Sequence, residues 1–153
     1  MFSNPGLANS TSTVSSCTLA YNTTGHKGGG IAFRSTTNAN ICLNSIVYYN
    51  RATAGTNDIY AAGALSLSNS CASSNLVTQG NTTNSPKFVL AQAVGGDFRL
   101  LKGSPCIDTG LNEDWMTNAF DLDVKARIFN TTVDMGCYEY WEVGRRGTML
   151  IAR

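Results

Sequence analysis

VSSCTLAYNTTGHKGGGIAF, residues 14–33, and CLNSIVYYNRATAGTNDIYA, residues 42–61, are two copies of one pattern. A single constant offset places Leu19 over Val47, Tyr21 over Tyr49, Asn22 over Asn50 and Ile31 over Ile59. A third copy, LSLSNSCASSN, follows at a slightly shorter offset and matches Cys42 with Leu67 and Asn44 with Asn69. Each copy holds short strand-like runs separated by Asn, Gly and Thr turns, without helical periodicity. One copy alone cannot bury its apolar face, so the copies must stack. A period of about 20 to 30 residues built from strands predicts an all-β solenoid of parallel strands, about three rungs deep. An antiparallel sandwich also has short strands and polar turns, but the matched offsets favour the solenoid. Within such a stack, Asn22 and Asn50, and likewise Asn44 and Asn69, are expected to serve as ladder or turn residues, bonding to their copies above and below.

Composition agrees. The chain of 153 residues holds 15 Asn, 14 Ser and 17 Thr, a set poor in helix formers and rich in strand and turn formers. Hydrophobic residues at 42% and a net charge of +1 argue against disorder. With 14% charged residues there is no field to attract nucleic acid or an acidic membrane, and no apolar run is long enough to span a bilayer. The opening MFSNPGLANS lacks the basic and apolar regions of a secretory signal, although the composition suits secreted proteins. The expectation is a piece of a longer secreted or surface protein. Its first rung, covered only by Phe2 and Leu7, would lie exposed or buried in a homo-oligomer.

Candidate chemistry is sparse. Glycoside hydrolysis needs two carboxylates about one bond, and Asp58 is the only acid in residues 1–96. His26 is the only histidine and sits in a Gly-rich turn, TGHKGGG, which is neither a nucleophile elbow nor a phosphate loop. Five cysteines without a C-x-x-C pair argue against zinc. Nine acids fall between Asp97 and Glu142. Of these Asp108, Asp121, Asp123 and Asp134 either form an oxygen-rich calcium site or cap turns and pair with nearby Arg and Lys. Tyr21, Tyr49, Tyr60 and Arg51 are the candidates for contact with a glycan; core or ladder packing is the commoner fate of such tyrosines.

LAYN and VYYN resemble the F-x-x-N element, and GGGI the G-G-A-[ILV] element, of bacterial polymorphic surface-protein repeats. The resemblance implies a right-handed parallel β-helix of the pectin-lyase-like kind over residues 1–93. Farther on, DFRLLKGSPCIDTG, FDLDVKAR and VDMGCYEY are similar to the C-terminal module called choice-of-anchor Q, here residues 94–140, with 141–153 as a tail. Val124 stands where that family usually has Gly, and no sorting motif follows Tyr140. Cys106 and Cys137 occupy positions usually held by Ala. Two small inward positions both becoming Cys imply that they face each other in a disulfide, worth roughly 3 to 4 kcal/mol in the chain-entropy model. The resemblance implies a non-catalytic structural function, with the module covering the last rung and DFRLL continuing the stack. The alternatives are a carbohydrate-binding surface, calcium-assisted or not, and a fragment of a polysaccharide lyase or hydrolase; no cofactor is required.

Overall fold

The computed structural model describes residues 10–55, 57–73 and 80–142. Phe2 and Leu7, on which the expectation for the first rung rests, and most of the tail lie outside the described residues. The protein is all-β. Parallel strand pairs dominate, and a single 3-10 turn, Asp114–Asn118, is the only helical element among the described residues.

The repeat register seen in the sequence is the pairing register. Strands β1 (Thr11–Ser15), β5 (Ala39–Leu43) and β9 (Leu65–Ser68) form one parallel sheet, with Val14 opposite Cys42 and Cys42 opposite Leu67. A second sheet holds β2 (Thr18–Ala20), β6 (Ile46–Tyr48) and β10 (Cys71–Ala72). Two-stranded parallel sheets join β3 (Thr23–Thr24) to β7 (Arg51–Ala52), and β4 (Ile31–Phe33) to β8 (Ile59–Ala61). The first two passes of the chain each give one strand to all four sheets, and the third gives β9 and β10 to the first two.

The corners between strands are left-handed. Ser16, Asn44 and Asn69 occupy equivalent places with φ of 52°, 50° and 44°, and Tyr21 and Tyr49 share the next corner at 59° and 62°. Asn tolerates this region better than most residues, which accounts for its repetition at the first corner. Polar ladders run down the stack beside the corners. The Ser45 amide donates to Ser70 Oγ at 3.1 Å, and the Cys17 amide to Ser45 Oγ at 3.2 Å. Each of these three side chains also donates to the carbonyl two residues earlier, so Cys17 replaces a serine in the ladder. Gly30 is required by closeness: a Cβ there would lie 2.5 Å from Val47 Cγ1.

Two apolar clusters share the second sheet. Val47 and Ala72 face an inner core with Phe33, Cys42, Ile59 and Leu67. Ile46 and Cys71, their neighbours along the strands, face the opposite way onto Phe88, Leu100, Cys106 and Met135. Alternation along a strand sends successive side chains to opposite faces, and here both faces are buried. Complete burial of each large aliphatic side chain contributes roughly 1.5 to 3 kcal/mol.

The C-terminal residues therefore pack on the flank of the stack. Strand β11 (Phe88–Leu90) pairs antiparallel with β12 (Asp97–Leu100), so DFRLL does not continue the parallel sheets as expected. The last layer is met instead by residues just after the repeats. Thr82 forms a parallel bridge with Cys71, its amide donates to Ser70 O at 3.0 Å, and its carbonyl accepts from the Ala72 amide at 3.1 Å.

Candidate functional site

The most elaborate polar region lies where residues 97–142 meet the repeat corners. Asn44 is fully buried and holds one backbone position at both ends: its Nδ2 donates to Leu111 O at 2.8 Å and its Oδ1 accepts from the Leu111 amide at 2.7 Å. The Asn44 carbonyl accepts from the Gly136 amide at 2.8 Å. One layer away, Asn69 Nδ2 donates to Thr109 O at 3.1 Å. In the other direction, Ser15 Oγ donates to Glu113 Oε2 at 3.2 Å and the Cys137 amide to Thr18 Oγ1 at 3.2 Å. Residues 109, 111 and 113 thus step along three successive layers.

Asn22 and Asn50 act within the stack. The Asn22 amide and Nδ2 both donate to Asn50 Oδ1 at 3.0 Å, and Asn50 Nδ2 donates to Leu19 O at 2.8 Å. Asn50 is held in turn by buried Asp58, whose Oδ1 accepts from both its amide and its Nδ2 at 2.9 Å. The sequence singled out Asp58 only as a lone acid; its place as the acceptor at a layer junction was not foreseen.

The four aspartates proposed for calcium do not converge. Both oxygens of Asp134 accept backbone amides, from Asp108 at 2.7 Å and Tyr140 at 2.5 Å. Asp121 accepts three, from Asp123, Lys125 and Glu139, each at 2.8 Å. Asp123 is paired with Arg99 and Lys125, and the Arg99 guanidinium holds its carboxyl well down, at about 2. Asp108 is exposed, at a left-handed φ of 52°. Among the described residues no three His, Cys, Asp or Glu side chains are grouped to hold a metal ion. Asp121 and Asp134 thus hold turn amides, and Asp123 holds two cations.

The expected Cys106–Cys137 bond is absent; all five cysteines are free thiols. Cys106 points into the cluster that contains Cys71, while Cys137 lies by Thr18 in the first layer, where burial raises its thiol pKa. The two small positions both face inward, but toward different layers of the stack.

A buried pair was missed by sequence reading. Arg127 and Glu139 lie 3.4 Å apart with side chains almost wholly enclosed, and Arg127 Nη1 also donates to Gly136 O at 3.1 Å. Removal from water pushes the Glu139 carboxyl up to about 8 and Asp134 to about 6, only partly offset by their amide donors and by Arg127. Raised values mean that the folded chain binds more protons than the unfolded one between about pH 4 and 8. The stabilisation is complete below the ordinary carboxylate range and is lost as pH rises through 6 and then 8. The thermal midpoint is therefore expected to fall as pH rises from about 4 to 8, with the larger part of the fall belonging to Glu139. Glu139→Gln should flatten most of that slope; a midpoint that rises with pH would contradict the assignment.

The glycan candidates divide into two places. Tyr21 and Tyr49 stack on each other at 5.1 Å between centroids, Tyr21 also stacks on Phe98 at 6.2 Å, and Tyr49 shares a hydrogen with Ser85 Oγ at 2.7 Å. Their faces are largely spent on the protein itself. Tyr60 instead lines a cavity of about 280 Å³ with His26, Lys27, Arg34 and Ala54, and Lys27 Nζ lies 5.2 Å from its ring centre. Arg51 is exposed on β7 and does not line that cavity. Among the described residues no carboxylate lines it either. In comparisons with known proteins, no family model, curated protein or solved structure matches this chain.

Proposed function

We propose that the chain is a non-catalytic structural unit of a secreted or surface protein: a short right-handed parallel β-helix whose choice-of-anchor-Q-like segment braces the layers from the side. One observation carries this reading. Residues 109–113 and 136–137 bond to corners of three successive layers, so the segment ties together elements that otherwise touch only their neighbours. The family-like motifs supply the brace with its rigidity. DLD and VDMG place Asp121 and Asp134, whose oxygens accept backbone amides rather than being aimed at a substrate.

A second reading, a carbohydrate-binding surface, is favoured by the His26, Lys27, Arg34 and Tyr60 cavity. An aromatic wall beside cations suits a sugar ring that carries an acidic group. One set of incubations tests both readings. With polyuronate and with neutral polysaccharides, the structural reading expects no new reducing or unsaturated ends, and turnover above background would overturn it. Binding to the polyuronate that weakens about tenfold in Lys27→Ala and Arg34→Ala, and falls with salt, would establish the second reading.

A further inference from the structure

Cys71 and Cys106 belong to opposite sides of the flank interface, yet their side chains share one buried cluster. Cys71 lies on β10 of the last layer, and Cys106 follows the Ser104–Pro105 turn of the bracing segment. Both are completely buried and share one apolar cluster with Ile46, Phe88, Leu100 and Met135. The neighbouring Cys106 thiol raises the Cys71 pKa, and Cys71 Sγ approaches Asn84 O at 3.3 Å. The remaining cysteines are differently engaged: Cys42 faces the inner core, and Cys17 donates to Ser15 O at 3.1 Å in the serine ladder. We propose that Cys71 and Cys106 are a cross-linking site, joined by a disulfide when the chain folds in an oxidising setting.

The reaction balances with a disulfide as the oxidant, either oxidised glutathione or a dithiol–disulfide oxidoreductase. The two protein thiols give up two protons and two electrons as the Cys71–Cys106 bond forms. The oxidant's S–S bond breaks and takes these up as two thiols, passing through a mixed disulfide with one of the cysteines. Burial and the neighbouring thiol hold the Cys71 pKa far above its ordinary value, so thiolate is scarce once the interface has closed. The bond is thus made while the segment is still docking, and a reduced, folded chain exchanges slowly. The inference goes beyond the bracing reading: the brace is defined by its hydrogen bonds and holds with or without the bond.

Trypsin sites at Arg34, Arg51, Lys87, Lys102, Lys125 and Arg127 leave the five cysteines on separate peptides. The whole chain is reduced, unfolded, refolded in a mixture of oxidised and reduced glutathione, alkylated and digested. Mass spectrometry is expected to show the Cys71 and Cys106 peptides linked and Cys42 alkylated. Alkylation of both Cys71 and Cys106, or linkage of either to Cys17, Cys42 or Cys137, would overturn the proposal. A second measurement does not depend on the peptides. The thermal midpoint of the oxidised chain should drop on adding dithiothreitol, and the double variant Cys71→Ala, Cys106→Ala should lose that response. A drop of equal size in the double variant would assign the response to another pair and overturn the proposal.

Discussion

Asp58→Ala is expected to cost about 4 kcal/mol, enough to remove much of the stability of a domain that starts with roughly 5 to 15. The carboxylate is buried, and it accepts from the Asn50 amide, Asn50 Nδ2, the Ser73 amide and Ser73 Oγ. Leaving a buried donor without an acceptor costs about 1 to 3 kcal/mol. The Asn50 donors carry the larger share, because Asn50 is itself buried, whereas Ser73 is exposed and can turn to water. The damage also spreads: Asn50 Oδ1 orients both nitrogens of Asn22, so a loosened Asn50 releases the junction to the first layer. Asp58→Asn preserves volume and one acceptor oxygen, and should cost about half as much. Urea unfolding followed by circular dichroism would measure both; an alanine variant within about 1 kcal/mol of the parent would show that the junction does not depend on this carboxylate.

The strand pairing was legible because a stacked repeat writes its register into the sequence. The match of Cys42 with Leu67 and of Asn44 with Asn69 is the register of β5 with β9, since equivalent residues stack directly. The left-handed corners left a fainter mark, Asn at two of three equivalent positions and Ser at the third. The side on which residues 97–142 dock left almost none. Its trace is the unbroken apolar pair Ile46–Val47, where a strand with one wet face would alternate; both faces of that sheet are covered. Spacing inside the segment sets Cys106 against Cys137, but each lies near a cysteine of the stack, and that depends on docking geometry rather than on spacing. The carboxylates of the segment were ambiguous for a related reason. D-x-D serves a cation or a turn amide equally well, and only the positions of the donors decide between them.

Gly136→Ala should separate the brace from the layers that it spans. Gly136 has φ of 98°, and a Cβ there would lie 2.7 Å from Thr18 Oγ1 and 2.9 Å from Ile46 Cδ1. A side chain at that φ costs about 1 to 2 kcal/mol, and forcing a methyl into a filled interface adds about 1 to 3. The residue also joins both halves of the interface: its amide donates to Asn44 O, and its carbonyl accepts from Arg127 Nη1. Relief of the clash by moving the segment outward would break both bonds and expose the buried Arg127–Glu139 pair to water. A total near 4 kcal/mol is therefore expected, but unevenly distributed. Hydrogen exchange should speed up by more than tenfold at the amides of Gly110, Leu111 and Met135, which bond across or within the docked segment. The amides of Ile46 and Cys71, bonded from layer to layer, should change far less. Equal acceleration in both sets would mean that the layers do not hold together without the segment, making it part of the core rather than a brace upon it.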